Sequence, residues 1–426
     1  MAAQVALQVT AGPLAGRTFT FDAPAMFIVG RAADCGLVIP VAPDRRIVSR
    51  YHCLLDIAPP KVCLRDLGSN NGTLVNGRMV GRRQKGPRPD HGPACPSPVV
   101  ELRDGDDVQV GDTLLRVTIR APRVCPGVSP AFATPEVPEN YHVVRKLGEG
   151  AFGAVCLARH VHSGRPVALK TMLPHVAATP DAADRFLREI ELTKALVHPN
   201  VVRLFEAGSV GGSFFLAMEY CEGGSLERHI RLRGGALDVD EALGIIFQVL
   251  DGLDYAHQVE LSGIRLHDGR TVAGRGLVHR DIKPSNILLD GARGNPTAKV
   301  GDYGLAKAFD VAGLSGHTAG GALGGTPAFV PRQQVLKFKY ARPEVDVWAA
   351  AATLYNMLTG CTPRDFDGRA DPWATVLETD PVPTLHRGKP IPRPLAQVID
   401  AALRDDPHLR FTTAGELKRA LAAAHP

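Results

Sequence analysis

Three glycines in Gly148-Glu-Gly150-Ala-Phe-Gly153-Ala-Val155 let a backbone turn come close to phosphate oxygens and offer them amide donors. By itself this spacing fits a nucleotide loop or an ordinary tight turn equally well. The residues after it narrow the choice. Val155-Cys-Leu-Ala is strand-like, where a dinucleotide-binding fold would open a helix. Val167-Ala-Leu-Lys170 then places an ammonium inside an apolar strand, an expensive position unless an anion meets it. Much further on, Asp281, Lys283 and Asn286 bring a carboxylate, a second ammonium and an amide close together, with the carboxylate of Asp302 beyond them.

At Lys170 the chain resembles the eukaryotic-type protein kinases, whose glycine loop precedes a V-A-x-K strand. The resemblance implies ATP as phosphoryl donor and Mg²⁺ as the metal, with Mn²⁺ an alternative. It implies that Glu189, in Phe186-Leu-Arg-Glu189-Ile, pairs with Lys170; Glu191 sits at a less family-like offset from His198-Pro199. The nucleotide would lie among Leu147, Gly148, Gly150, Gly153, Val155, Ala168, Lys170 and Leu288. Met218 would guard the deeper pocket, and backbone groups of Glu219 and Cys221 would meet the adenine edge. In Val278-His279-Arg280-Asp281-Ile-Lys283-Pro-Ser-Asn286-Ile-Leu288, Asp281 would orient the incoming hydroxyl and Lys283 would oppose the developing charge. A lysine two residues after that Asp resembles the serine/threonine class. Asn286 and Asp302, the latter in Asp302-Tyr303-Gly304, would be the metal ligands. Thr326 would contact Asp281 and Lys283, Asp346 would support the catalytic loop, and Arg410 would pair with the glutamate of A-P-E.

That glutamate is missing. The segment reads Pro331-Arg332-Gln333, and an arginine left without its carboxylate costs on the order of 2–4 kcal/mol unless another acid compensates. The departure keeps a second reading open, a phosphopeptide-binding scaffold with an inactive kinase domain. Residues 258–275 are extra for the family. Their alternation around His267-Asp268-Gly269 predicts a small hairpin, either a contact surface or a tolerated insertion. Ser315, Thr318 and Thr326 are the activation-loop candidates.

Nearer the start, Val29-Gly30-Arg31, Ser49-Arg50-Tyr51-His52 and Ser69-Asn70-Asn71-Gly72-Thr73 come in sequence. The series resembles forkhead-associated domains, sandwiches whose end loops bind phosphothreonine. It implies that Arg31 forks onto phosphate oxygens while Ser49 and Asn70 add hydrogen bonds. Asn71 would hold the ligand backbone, and Arg50 would serve the phosphate or a flanking residue.

The elements that must position these groups separate by texture. Residues 1–121 show short β-type runs punctuated by Asn-Gly and Asp-Gly turns, predicting an all-β sandwich. Residues 122–139 hold five prolines and predict a semi-extended linker. From residue 140 to 426, strand-like runs give way to amphipathic helical patterns over Asp181–Leu196 and Asp240–His257, predicting an α+β bilobal domain with lobes at about 140–218 and 222–426. The expected fold is thus multidomain, a forkhead-associated-like sandwich followed by a kinase fold. Eight cysteines without a Cys-x-x-Cys pair predict reduced thiols, and the chain is expected to be soluble and cytoplasmic. A net charge of +5 suits anionic nucleotides and phosphopeptides and gives no warrant for nucleic acid. The expected partners are Ser/Thr-containing substrates and phosphothreonine proteins, a homodimer being one arrangement open to it.

Overall fold

The computed structural model describes residues 3–22, 25–40, 47–82, 98–120, 137–150, 153–172, 187, 190–210, 213–265, 271–291, 296–303, 326–336, 341–366, 371–405 and 408–425. Glu189, Ser315 and Thr318 lie outside them, as does most of the proline-rich linker.

The first domain contains β1 (Gln4–Ala11), β2 (Thr18–Phe21), β3 (Ala25–Gly30), β4 (Leu37–Val38), β5 (Cys53–Ala58), β6 (Lys61–Asp66), β7 (Thr73–Val75), β8 (Arg78–Gly81), β9 (Val100–Leu102), β10 (Asp107–Val110) and β11 (Thr113–Arg120). They form two sheets, ordered β2-β1-β11-β10-β7-β8 and β4-β3-β5-β6-β9. Period-two alternation sends Val5, Leu7 and Val9 of β1 and Leu115 and Val117 of β11 inward against Phe27, Val29, Leu55 and Leu64 of the other sheet.

The outer faces of β3 and β5 are not polar. Ile28 and Leu54 point away from the sandwich core and are as deeply buried as the residues that face it. The second domain covers them, in an apolar cluster with Val330, Val335, Trp373 and Leu377. The same outer face carries Asp56 and Arg65.

In the second domain, β12 (Tyr141–Gly150), β13 (Gly153–His160), β14 (Pro166–Met172), β15 (Leu204–Val210) and β16 (Ser213–Glu219) make an antiparallel sheet in the order β12-β13-β14-β16-β15. A mainly helical lobe follows. Its described elements are β17 (Gly224–Ser225), α1 (Leu226–Leu232), α2 (Val239–Gln258), β18 (Glu260–Arg265), β19 (Thr271–Arg275), β20 (Ile287–Asp290), β21 (Thr297–Val300), α3 (Arg332–Leu336), α4 (Pro343–Thr359), α5 (Pro372–Glu378), α6 (Arg393–Ala402) and α7 (Ala414–Ala424). Helix α4 is apolar nearly all round, so it runs through the lobe's centre against α2 and α6. Asp371 caps α5 by accepting from the Trp373 amide at 2.9 Å.

Strands β18 and β19 pair antiparallel, with Glu260 opposite Arg275. The Leu277 amide then donates to the Ala256 carbonyl at 2.8 Å, so the hairpin leaves and rejoins the lobe at one point. Among the described residues, no helix is long and apolar enough to cross a membrane.

Burial on the outer face of β5 pushes the Asp56 carboxyl up to about 6, although Arg65 partly offsets it. The folded group keeps its proton to about 6, whereas an ordinary carboxyl releases it near 3.8. Its contribution to stability is therefore full below 3.8 and is lost as pH rises through 6. Asp56→Asn removes that loss. Thermal denaturation should show the variant more stable by on the order of 2 kcal/mol at pH 7.5, with the gain vanishing towards pH 4.

Candidate active site

The glycine motif spans the end of β12 and the start of β13, where Gly150 pairs with Gly153 and Gly148 with Val155. Gly153 has φ +146°, and a Cβ there would stand 1.9 Å from the Thr171 carbonyl, so no other residue fits against β14. The sheet's register places Val155 opposite Lys170 and Ala168 opposite Met218. Leu288 comes from the other lobe, paired with Ser225 on β17. Loop, sheet and helical lobe thus contribute the residues named for the nucleotide. Behind Met218 a small cavity is lined by Leu204, Leu216, Met218, Asp302 and Tyr303.

At the crossing between lobes, the Glu219 side chain turns away from the cleft. It pairs with Lys299 at 3.1 Å and accepts from the Arg203 amide at 3.2 Å, leaving the backbone as what this strand end presents. Cys221 is buried, and its thiol is pushed up to about 12 by burial, with Asp290 and Glu219 adding to the effect. It is a neutral packing group there.

Lys170 Nζ is 2.9 Å from Asp302 Oδ2. Burial pushes the Asp302 carboxyl up, but Lys170, with His279 and Lys283, more than offsets it and holds the group below the usual carboxylate range. Asp281 accepts from Lys283 Nζ at 2.9 Å and from Asn286 Nδ2 at 2.9 Å. A second bond, from Asn286 Nδ2 to the Asp281 carbonyl at 2.8 Å, leaves the amide oxygen of Asn286 for a cation. The Gly301 amide donates to the Asn286 carbonyl at 2.8 Å, bringing Asp302 alongside. One carboxylate and one amide oxygen are a hard donor pair that fits a divalent cation.

Two non-glycine residues here, Arg280 at φ +69° and Asp302 at φ +58°, adopt left-handed backbone that costs on the order of 1 kcal/mol each. Asp346 holds the first. Its carboxylate accepts from the His279 and Arg280 amides at 2.7 Å each and from His257 Nε2 at 2.8 Å. Burial pushes Asp346 up, and His257 and His279 more than offset it, so it stays ionised. His279 Nε2 donates to the Gly301 carbonyl at 2.7 Å, and its ring meets Tyr303 edge-on at 4.7 Å.

Two expectations fail. Thr326 is exposed and, among the described residues, makes no hydrogen bond to Asp281 or Lys283; its carbonyl accepts from the Phe329 amide at 3.0 Å. Arg410 is also exposed, lying over the Phe411 ring. The buried arginine is Arg364, which donates to Asp405 Oδ2 at 2.7 Å and to the Thr379 carbonyl at 2.9 Å. Asp405 Oδ2 also accepts from the Arg332 amide at 2.7 Å. A buried guanidinium–carboxylate pair is thus present with both partners changed. Gln334, next to Gln333, donates to the Arg280 carbonyl at 2.7 Å and ties α3 to the catalytic loop. A lone arginine in a Pro-rich stretch gave no cue; the acid directly before Asp406-Pro407 was the available signal.

At one end of the sandwich, the loops bring Arg31, Ser49, Arg50, Asn70 and Asn71 together. A Cβ on Gly30 would stand 2.1 Å from the Arg50 carbonyl, so the glycine before Arg31 lets two of these loops touch. The Arg31 amide donates to the Ser49 carbonyl at 3.1 Å, and the Asn70 amide to Ser49 Oγ at 3.1 Å. Asn71 Nδ2 donates to the Ile47 carbonyl at 2.8 Å, so this nitrogen already holds its own loop. Beneath them His52 accepts from the Ser49 amide at 3.2 Å and donates to the Gly72 carbonyl at 3.1 Å. Burial holds its pKa below the ordinary value, in keeping with that neutral tautomer. Asp66 takes the Ser69 hydroxyl at 2.7 Å and the Thr73 hydroxyl at 2.6 Å.

A family model described as protein kinase domain matches residues 141–422, and one described as FHA domain matches residues 27–90. The serine/threonine-protein kinase PknJ of Mycobacterium tuberculosis is 32% identical over 290 residues, 67% of this chain and 45% of that protein. The rice serine/threonine protein kinase OSK3 is 32% identical over 230 residues, 54% of this chain and 40% of that protein. The chain therefore spans less than half the length of these curated relatives. Among solved structures, the kinase domain of Mycobacterium tuberculosis PknI matches with a TM-score of 0.52 at 27% identity, over 69% of this chain and all of that one.

The rebuilt ion pair is directly testable by chemical denaturation. Arg364→Ala strands the Asp405 carboxylate in the interior and should cost about 3–5 kcal/mol. Arg410→Ala removes only a surface group and should stay within about 0.5 kcal/mol of the parent. Equal losses would contradict the assignment.

Proposed function

The chain belongs to the protein kinase family and carries a forkhead-associated (FHA) domain before its kinase domain, and on that premise we propose that it is a serine/threonine protein kinase that transfers the γ-phosphate of ATP to protein hydroxyls. The observation that carries this reading is the cluster in which Asp281 meets Lys283 and Asn286 at 2.9 Å each, beside the Lys170–Asp302 pair.

The roles follow from the chemistry. Asp281 orients a substrate hydroxyl and takes its proton as the oxygen bonds to the γ-phosphorus and the bond to the ADP oxygen breaks. Lys283, already on Asp281, is placed to oppose charge on the transferred group. Lys170 rests on Asp302 and gains phosphate oxygens as further partners when nucleotide enters. Glu189 is proposed as its helix partner. Kinases as a family use ATP with a divalent cation; here Mg²⁺, or Mn²⁺, held by Asn286 and Asp302 would neutralise the phosphates. Leu147, Val155, Ala168 and Leu288 would sandwich the base, with Met218 behind it and the backbone of Glu219 and Cys221 at its edge.

The FHA domain would take phosphothreonine on Arg31, Ser49, Arg50 and Asn70, with Asn71 serving the ligand backbone. Its ligands would be phosphothreonine-containing partner proteins or the chain's own autophosphorylated segments; Ser315 and Thr318 are the autophosphorylation candidates.

Incubation with Mg²⁺ and ATP, followed by phosphosite mapping on the chain and on a generic basic protein, tests the activity. Asp281→Asn should lower incorporation by at least about 100-fold. No phosphate above that variant's level would remove the proposal. Arg31→Ala should weaken phosphothreonine-peptide binding by at least about tenfold while sparing ATP turnover, measured by calorimetry and a phosphorylation assay.

A further inference from the structure

The FHA domain does not hang from the kinase on its linker. The outer face of β3 and β5 is buried against α3 and α5 through Ile28, Leu54, Val335, Trp373 and Leu377. Arg65 Nη1 meets Asp371 Oδ2 at 3.2 Å with both side chains almost wholly buried. One carboxylate oxygen of Asp371 thus takes Arg65 while the other caps α5. A pair this buried contributes registry more than net energy, and the apolar face supplies the adhesion.

The edge of this interface is built from the phosphate-binding loops themselves. Cys35 follows Arg31 in its loop, Tyr51 adjoins Arg50, and Leu67 begins the turn that ends at Asn70; all three lie in the shared apolar cluster. On the kinase side that cluster includes Val330, which directly follows the Thr326–Phe329 turn and precedes α3. Gln334 of α3 in turn bonds the Arg280 carbonyl, beside Asp281. A short, packed route therefore runs from the phosphothreonine loops to the catalytic loop. Arg31, Arg50 and Asn70 remain exposed at its outer end.

We propose that the preferred substrates are proteins already phosphorylated on threonine, with the phosphothreonine at a set distance from the acceptor hydroxyl, because the phosphothreonine loops are packed against the segment from Val330 through α3 that is tied to the catalytic loop. The proposal rests on the kinase and phosphothreonine reading above and adds a geometric constraint to it. A reader on a loose tether raises the local substrate concentration over a broad range of spacings. A docked reader rewards only the spacing that spans its fixed separation from the active site, and only on the side of the acceptor that faces it.

The experiment uses the full chain and synthetic peptides with one acceptor serine and one phosphothreonine, placed 4 to about 24 residues away on either side, each with an unphosphorylated counterpart. The expected result is a gain in kcat/KM of about tenfold or more within a narrow range of spacings on one side, and under about threefold elsewhere. Leu54→Arg breaks the docking from the sandwich's outer face without touching its core. It should flatten the peak while leaving phosphothreonine affinity and unprimed turnover unchanged. Equal gains at all spacings in the parent chain, or no gain while both separate activities are intact, would overturn the proposal even if Leu54→Arg fails to fold. Absence of unprimed turnover or of phosphothreonine binding would instead overturn the underlying reading.

Discussion

The carboxylate of Asp346 is the fixed point of the catalytic lobe. It sits at the start of the buried helix α4 and accepts the His279 and Arg280 amides and the His257 ring. A buried anion is costly without such donors, so the helix, the catalytic loop and the end of α2 must converge on it. Arg280 is held in left-handed backbone as a result. His279, pinned by its amide, reaches Gly301 and packs on Tyr303, which carries the constraint to Asp302 and so to Lys170. The groups proposed to react are ordered from behind, by Asp346, His257 and His279.

The segment after the activation region is secured by a different route from the family's usual one. Gln333 cannot supply a negative charge, and Arg410 has moved to the surface. Arg364 and Asp405 restore a buried pair, and Arg332 joins it through its backbone. What the interior requires at this place is a satisfied guanidinium–carboxylate contact, and which strand or loop provides each half is free to change.

Much of this was legible in the sequence where local pattern and chemistry agree. The period-two runs of β1 and β11, the helix over Asp240–His257 and the glycine, lysine and aspartate motifs all carry their own signals. The pairing of β18 with β19 was readable from alternation, while His267-Asp268-Gly269 lies outside the described residues. Long-range exchange was not readable: the partner of Asp405 lies 41 residues upstream, and nothing in Thr362-Pro363-Arg364 marks burial. The docking of the two domains was written faintly. Ala25-Met-Phe-Ile-Val and Cys53-Leu-Leu-Asp-Ile-Ala are apolar at successive positions, which an antiparallel strand with one wet face does not need. Such runs announce two covered faces without saying what covers the second.

Those two strands also bear on portability. A recognition sandwich can be moved from one protein to another only if its outer faces tolerate water. This one could not be moved intact. Cut free of its kinase, it would wet Ile28, Leu54 and Tyr51, leaving a sticky sheet prone to self-association. Recombination could exchange its loops, but the sheet beneath them has become part of its neighbour's surface and must be inherited with it.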